Sequence, residues 1–278
     1  TSSSASAAET VTDLFASQEP SATGIGFVNS VEVNEKLNYV NYAYIFNGGG
    51  VAMLDFDQDG LMDLYFVSNQ KENKLYRNAG DWGFEDMTSA AGVAAVGGLK
   101  SGVTIVDVNA DGYPDIYLAR TGLQKSKGPQ PERKNELFVN QKNGTFKEEA
   151  GRYGLDSDRA TNHANFFDYD GDGDLDCYLL NIPTNFSTVN KVRAQQTKDG
   201  IKRITTPAHE YESDQLLRND GTHFTDVTMA AGLYNYGFSL SSLVHDFNGD
   251  GWQDIYIAND YIDADKLYIN QGNGAFTD

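Results

Sequence analysis

One nine-residue pattern, D-x-[DN]-x-D-G-x-x-D, occurs four times in this 278-residue chain. The copies occupy residues 55–63, 107–115, 168–176 and 246–254, hereafter loops 1 to 4. Each loop lies between short apolar runs rich in β-branched and aromatic residues, which is typical of strands rather than helices. Recurrence with the same spacing and the same flanks indicates an internal structural repeat.

The loops concentrate oxygen ligands within a few residues. Because carboxylates this close repel one another unless a cation neutralises them, and because hard oxygen donors suit calcium, the pattern predicts about four calcium ions per chain. The ninth-position aspartate is predicted to close each shell as a bidentate ligand. The predicted side-chain ligands are Asp55, Asp57, Asp59, Asp63, Asp107, Asn109, Asp111, Asp115, Asp168, Asp170, Asp172, Asp176, Asp246, Asn248, Asp250 and Asp254. The predicted carbonyl ligands, at position seven, are those of Leu61, Tyr113, Asp174 and Trp252.

Two other interpretations of the loops have to be weighed. An EF-hand shares the first six positions but needs a glutamate at position twelve and flanking helices. Position twelve is apolar in every copy: Phe66, Leu118, Leu179 and Ile257. Simple hairpin turns are also rich in Asp, Asn and Gly. Four copies with one spacing favour the metal site over the turn.

Charge and cysteine content exclude several classes of protein. The chain has 21 Lys and Arg against 40 Asp and Glu, a net charge of −19. This charge disfavours nucleic acid and anionic lipid as partners, and no apolar run suits membrane insertion. A single cysteine, Cys177, excludes an intramolecular disulfide framework and is expected to be a small buried side chain.

The order of segments around each loop predicts the fold class. Each repeat reads as strand, loop, strand, connection, strand, turn, strand and a small-residue exit, and four strands in roughly 40–50 residues are typical of a β-propeller blade. We expect an all-β propeller of four-stranded antiparallel blades over residues 23–278, with calcium loops between strands 1 and 2. The expected repeats are about 48–96, 97–157, 158–235 and 236–278. Residues 1–22 are small and polar and are expected to be a flexible linker or processed N-terminus.

The repeats resemble a known group of sequences. The D-x-D-x-D-G-x-x-D loop within four-stranded repeats resembles the FG-GAP/VCBS repeats of integrin α-subunit propellers. The stretch TGIGFVN…YIFNGGGVAMLDFDQDGLMDLYF, with NKLYRN and FEDMTSAAG, is closer to the bacterial cartilage acidic protein-like family. That resemblance implies a secreted or cell-surface protein and a ring that usually has seven blades.

Four repeats do not make a seven-bladed ring, and the fourth ends within its last strand at AFTD. Since a ring cut there would leave an unpaired edge, we expect the four repeats to belong to a larger ring, of about seven blades, or to one completed by a partner. The alternative is a closed four-bladed ring in which residues 25–47 supply missing strands.

Two insertions, residues 120–134 and 182–213, separate strands 2 and 3 of the second and third repeats, and strand parity places them on the face opposite the calcium loops. They hold ten basic residues: Arg120, Lys125, Lys127, Arg133, Lys134, Lys191, Arg193, Lys198, Lys202 and Arg203. They are interpreted either as a cationic rim for an acidic partner or an anionic polysaccharide, or as solvated loops. Asn143 and Asn185 lie in N-x-[ST] triplets and are expected to be exposed.

The sequence favours a non-catalytic function. It contains no nucleophile elbow and no phosphate loop, and its four histidines lack metal-ligand spacing. We expect an extracellular structural and adhesive module whose face opposite the calcium loops binds a protein or a glycan, or self-assembles. The alternative is a polysaccharide lyase, whose base would be a Lys, Arg, His or Tyr of the insertions. Residues 209–214 (HEYESD) bring acid–base groups together there, but no motif selects one base.

Overall fold

The computed structural model describes residues 15–123, 131–184, 194–198, 200–204, 211–261 and 263–278. In these ranges the chain forms eighteen β-strands, three single-turn α-helices and two short 3₁₀ segments, so the fold is all-β. No helix in the described ranges is long and apolar enough to cross a membrane.

Sixteen of the strands form four antiparallel sheets, with neighbouring strands in chain order. Sheet 1 contains β1 (Val51–Leu54), β2 (Asp63–Phe66), β3 (Lys74–Asn78) and β4 (Phe84–Asp86). Sheet 2 contains β5 (Leu99–Val106), β6 (Asp115–Thr121), β7 (Glu136–Asn140) and β8 (Phe146–Glu148). Sheet 3 contains β9 (Thr161–Phe167), β10 (Asp176–Asn181), β13 (Gln215–Asn219) and β14 (Phe224–Asp226). Sheet 4 contains β15 (Phe238–His245), β16 (Asp254–Asp260), β17 (Lys266–Asn270) and β18 (Phe276–Thr277).

The remaining elements lie between or before the sheets. A hairpin of β11 (Ala194–Thr197) and β12 (Gly200–Arg203) lies within the second insertion and was not expected from the sequence. Of the single-turn helices, α1 (Pro20–Thr23) precedes the sheets, while α2 (Thr88–Ala91) and α3 (Ala150–Tyr153) follow sheets 1 and 2. Gly92, with φ 78°, ends α2 in the left-handed conformation that closes many helices, which explains the small-residue exit.

The core consists of separate apolar layers between successive sheets. Tyr65, Tyr117 and Tyr178, on the second strands of sheets 1 to 3, are completely buried. Tyr65, for example, lies in a cluster with Val93 from the exit of sheet 1 and with Ile116 from sheet 2. Each buried side chain of this size contributes roughly 1.5–3 kcal/mol. Successive sheets are therefore held together by the same layer repeated.

The outer face of sheet 4 lacks this cover among the described residues. Its tyrosine, Tyr256, is 37% exposed, and the cross-strand neighbour Leu267 is 40% exposed. The equivalent pair in sheet 2, Tyr117 and Leu137, is completely buried. Tyr117 and Leu137 are covered by sheet 3, whereas no sheet among the described residues follows sheet 4 to cover Tyr256 and Leu267.

The first strands of successive sheets lie side by side, β1 against β5, β5 against β9 and β9 against β15. The hydroxyl of Thr104 in β5 donates to the carbonyl of Ala164 in β9 (2.8 Å). A Cβ on Gly102 would come within 2.6 Å of the Asn162 carbonyl oxygen, so this approach requires glycine. The inner edges of the sheets thus converge.

The segment before sheet 1 packs against the other sheets without forming strands. Residues 25–47 contain no strand, so the alternative in which they supply missing strands of a four-bladed ring is wrong. Instead, the Tyr42 hydroxyl shares a hydrogen bond with that of Thr121 (2.7 Å), and Ile45 packs in a cluster with Ala160 and Ile182. The segment crosses the ends of sheets 2 and 3.

The predicted cationic rim has to be corrected. Arg120 is part of β6, and its guanidinium, 6% exposed, forms an ion pair with Glu136 (2.6 Å). Arg133 is also buried. Arg120 is held against the sheet because Glu136 belongs to the neighbouring strand β7, and Arg133 donates to the Gly122 carbonyl (3.3 Å) and the Tyr211 hydroxyl (3.4 Å). Lys134 pairs with Asp156, and Lys198 is exposed. Lys125, Lys127, Lys191, Arg193 and Asn185 lie outside the described residues, as do the side chains of Lys202 and Arg203.

Candidate metal centres

All four loops follow the same backbone path between the first and second strands of a sheet. In loop 1 the Asp55 carboxylate accepts the N–H groups of Asp59 (3.1 Å) and Gly60 (3.0 Å), and the Asp59 carboxylate accepts that of Leu61 (2.8 Å). The same three bonds form in loops 2 and 4. Loop 3 keeps the bonds from the sixth and seventh positions, but its first aspartate accepts the N–H of Gly171, at the fourth position, in place of the fifth. The fourth and sixth positions of every loop have positive φ. The sequence pattern therefore encodes one backbone turn four times.

The ninth-position aspartates, Asp63, Asp115, Asp176 and Asp254, are completely buried or nearly so. In loop 1, one Asp63 oxygen accepts the N–H of Phe56 (3.0 Å) and the other that of Asn78 at the end of β3 (2.8 Å). The same two bonds form in the other three loops. These carboxylates fix the loop to the sheet, and each oxygen keeps a second lone pair for a cation.

Burial opposes the charge of the ninth-position carboxylates of loops 1, 2 and 3. It raises the pKa of Asp63 to about 6, with neighbouring Asp57 and Asp59 adding to the effect. Burial raises the pKa of Asp115 to about 6 and that of Asp176 to about 7. Negative charge at these positions is costly in the protein alone, and a bound cation would relieve that cost.

An asparagine that ends the third strand completes each loop. The Asn78 side chain donates to the Met62 carbonyl (3.1 Å), and Asn140, Asn219 and Asn270 make the same contact with the eighth residues of their own loops. Sequence reasoning missed these residues, although the shared ending of LYRN, LFVN, LLRN and LYIN could have identified them.

Loops 1 and 3 bring three carboxylates together. In loop 1, oxygens of Asp55, Asp57 and Asp63 lie within 4.8 Å of one another, and loop 3 groups Asp168, Asp170 and Asp176 in the same way. One oxygen each of Asp57 and Asp170 is buried without a hydrogen-bond partner. A buried carboxylate oxygen without a donor is unfavourable, so the donors of loops 1 and 3 fit a hard divalent cation.

Loops 2 and 4 have asparagine at the third position and satisfy it internally. Asn109 accepts the N–H of Asp111 (3.1 Å). Asn248 accepts that of Asp250 (2.9 Å) and donates to its carboxylate (2.8 Å). In loop 2 the Lys142 ammonium also lies 3.3 Å from the Asp111 carboxylate. In the part of the chain that the structure describes, no three acidic groups cluster in loops 2 or 4.

The seventh-position residues lie at the loop surface. Their N–H groups donate to the fifth-position aspartate, while ligation by the carbonyls of Leu61, Tyr113, Asp174 and Trp252 stays a prediction. The Trp252 ring also packs over loop 3, where a Cβ on Gly171 would approach it within 2.9 Å. Loops 1 and 2 are joined by a bond from the Gln58 amide to the Gly112 carbonyl (2.7 Å).

The acid–base stretch considered for a lyase is only partly described, since His209 and Glu210 lie outside the described residues. Tyr211 donates to the Asp158 carboxylate (2.9 Å). Asp214 is buried and accepts hydrogen bonds from the Asn181 N–H (2.7 Å) and the Tyr178 hydroxyl (3.1 Å). The absence of enzymatic activity stays a prediction. Cys177 is buried and Asn143 exposed, as expected.

The sequence matches a family model and a human protein. Residues 55–118 and 128–179 match the model of the FG-GAP-like repeat. Human cartilage acidic protein 1 is 24% identical over 233 residues, which are 82% of this chain and 31% of that protein.

Two solved structures are similar to most of the chain. An Agrocybe aegerita lectin that recognises non-reducing terminal N-acetylglucosamine has a TM-score of 0.41 and 17% identity, over 82% of this chain and 50% of the lectin. The V. cholerae biofilm matrix protein Bap1 has a TM-score of 0.33 and 16% identity, over 81% of this chain and 29% of Bap1. The chain spans half or less of each of these relatives.

The repeat match covers loops 1, 2 and 3, whose common backbone path is described above. As the resemblance implied, the chain contains FG-GAP-like repeats and is a distant homologue of cartilage acidic protein 1.

Proposed function

We propose that the four sheets are blades of a calcium-binding β-propeller that acts outside the cell as a structural and adhesive module. The repeats, the side-by-side first strands and the buried layers between sheets support the propeller arrangement. Residues 48–96, 97–157, 158–235 and 236–278 are the proposed blades. The outer face of sheet 4 favours a ring with more blades than these four.

The partnerless oxygens of Asp57 and Asp170 carry the proposal of a calcium role. The backbone bonds of loops 1 and 3 satisfy the first and ninth aspartates but leave these third-position oxygens buried and unpaired. Calcium would supply the positive charge that the carboxylates lack. The sixteen side chains of the four loops hold it, with loops 1 and 3 tighter than loops 2 and 4.

Calcium stabilisation of this kind is large enough to decide whether the domain is folded. For a weak extracellular site, at about tenfold excess of calcium over Kd, the free energy of unfolding rises by about 1.4 kcal/mol. Four such sites add roughly 5–6 kcal/mol, which is comparable with the whole stability of many domains. The carboxylate-rich loops would therefore bind calcium and, through the bound ion, stabilise the folded domain.

The experiment is isothermal titration with calcium, together with thermal melts in calcium and in excess EGTA. We expect about four ions per chain in two affinity classes and a large fall in Tm on chelation. An Asp57→Asn/Asp170→Asn double variant should lose the tighter class and keep the weaker one. A melt that EGTA leaves unchanged would overturn the proposal.

The partner is proposed to bind the face opposite the loops, where the insertions and the segment before sheet 1 lie. Protein, glycan and self-assembly all suit a rigid disc of this type. Because the net negative charge of the chain repels phosphate backbones, nucleic acid is not proposed as a partner.

A further inference from the structure

A cavity of about 430 Å³ lies where the first strands of the sheets begin, on the side opposite the calcium loops. Its walls come from the start of β5, β9 and β15 and from residues 48–50, which enter β1. Tyr42, Tyr44 and Ile45 close it on the side of the N-terminal segment. The volume is within the range of small-molecule sites, roughly 300–1,000 Å³.

Three polar side chains that line this cavity, hereafter the axial cavity, have no hydrogen-bond partner within the described part of the chain. They are the amide of Asn47, the imidazole of His163 and the hydroxyl of Ser241, from three different segments. Another lining side chain is used by the fold itself, since the Asn162 amide donates to the Leu240 carbonyl (2.9 Å). The cavity therefore offers convergent donors and acceptors that the fold itself leaves unused.

The cavity wall carries no acidic side chain and one cationic side chain. That side chain, Lys100, is buried, and its ammonium donates to the Lys71 carbonyl (2.7 Å). Burial lowers the pKa of His163 and so disfavours the charged imidazolium. The wall offers no carboxylate to a cationic ligand, and the Lys100 ammonium is directed to Lys71, which is not among the lining residues, so a neutral polar ligand is favoured.

One wall is aromatic and held in place. The Tyr44 ring packs against Phe238 and Tyr261 at centroid distances of 6.2 and 6.4 Å, and its hydroxyl donates to Asp260 (3.2 Å). Tyr261 adopts a positive φ of 63°, which is unfavourable for a tyrosine and is sustained by these contacts. An apolar ring face beside unused polar groups suits a ligand with both a C–H face and hydroxyl groups.

We propose that the axial cavity binds a neutral sugar residue, with Asn47, His163 and Ser241 contacting its hydroxyl groups and Tyr44 its C–H face. This inference rests on the proposed function, because it names a ligand class for the face that the propeller leaves free.

The test is saturation-transfer NMR on the whole chain in calcium, with methyl β-glucoside as the probe and glucuronate as its charged counterpart. We expect transfer to the glucoside at roughly millimolar affinity and weaker transfer to glucuronate. Asn47→Ala and Ser241→Ala should each weaken glucoside binding about fivefold, since a neutral hydrogen bond is worth about that much. Gln195→Ala, an exposed amide on the β11–β12 hairpin, should leave it unchanged.

The outcomes separate this inference from the proposed function. Equal transfer to wild type and to the Asn47→Ala/Ser241→Ala variant would overturn the site, and so would preferred binding of glucuronate or of an uncharged blocked tripeptide. Absence of glucoside transfer, in a chain whose Tm still falls in EGTA, would overturn the sugar site and leave the calcium propeller intact. Asn47 and Ser241 are both exposed, so neither substitution removes a buried contact. Unchanged thermal melts will verify that the variants fold.

Discussion

Loops 1 and 3 follow the same backbone path as loops 2 and 4, and the two pairs differ in the side chain at the third position. In the first pair an aspartate places an unpaired buried oxygen beside two other carboxylates. In the second pair an asparagine bonds to the loop itself, and loop 2 adds the Lys142 ammonium. One scaffold therefore carries two grades of site. The turn is built by hydrogen bonds common to all four loops, while the need for a cation is set by a single side chain.

The largest effect is expected where the two pairs do not differ. Asp176→Ala in loop 3 leaves two buried N–H groups without acceptors, and Asp254→Ala in loop 4 leaves one buried and one partly buried N–H group. Each orphaned group costs about 1–3 kcal/mol, so both variants should lose about 4 kcal/mol of unfolding free energy in urea. The loss should persist in EGTA. Glu35→Ala, at an exposed position, is the control. A loss confined to calcium-containing buffer would mean that the ninth aspartate acts only as a ligand.

A second large effect is the pH dependence of stability that comes from Asp214, which lies outside the four loops. Burial raises the pKa of Asp214 from 3.8 to about 6, so its contribution to stability is present below pH 4 and is lost as pH rises through about 6. The difference corresponds to roughly 3 kcal/mol. The residues at the same place in sheets 1 and 2, Asn73 and Asn135, also bond to the tyrosine of their sheet but are uncharged.

Asp214→Asn should therefore flatten this part of the pH profile. The measurement is the free energy of unfolding between pH 4 and 8 in saturating calcium, as the difference between variant and wild type. The variant should be the more stable protein at pH 8. If the difference between the two proteins does not change with pH, Asp214 is not the titrating group.

The repeat made the sheets and the loop positions predictable, because loop and strand patterns recur at short range. The role of the ninth aspartate could not be predicted. In loop 3, for example, the partner of Asp176 is Asn219, which is 43 residues away and is brought close only by strand pairing. Arg120 was assigned to an exposed rim for a similar reason: its partner Glu136 lies beyond an insertion of variable length. The axial cavity has no local pattern at all, because three separate strands and the N-terminal segment form it.

Exchanging the third-position residues tests the comparison directly. Asp170→Asn should weaken calcium binding at loop 3 about tenfold, and Asn109→Asp should strengthen it at loop 2 by a similar factor, because ligand charge sets affinity. In EGTA the signs should reverse, since Asp170→Asn removes repulsion and Asn109→Asp adds it. Calorimetric titration and EGTA melts together give both signs. Unchanged affinities would mean that the third position does not distinguish the two grades.

Backbone strain at the fourth position gives a smaller, calcium-independent effect. Ala110 in loop 2 has φ 54°, whereas loop 4 has Gly249 at the same place. Ala110→Gly should raise the unfolding free energy by about 1 kcal/mol, and Gly249→Ala should lower it by a similar amount. A Cβ on Gly249 would meet nothing within 4 Å, so the reverse substitution reports strain alone. Matching melts in calcium and EGTA would verify this; opposite responses in the two buffers would implicate the metal instead.

The smallest effect should come from Lys142, whose ammonium lies 3.3 Å from the Asp111 carboxylate and 5.2 Å from the centre of the Tyr113 ring. Because it provides positive charge where a cation would bind, Lys142→Gln should strengthen calcium binding at loop 2 about threefold. In EGTA the same change should cost less than about 1 kcal/mol, since the pair is half exposed. The Gly112 amide resonance reports loop 2 during a calcium titration, and Lys71→Gln, whose pair with Glu32 lies outside the loops, is the control. An unchanged or weaker affinity would show that the lysine does not compete with the ion, leaving Asn109 alone to account for the weaker grade of loop 2.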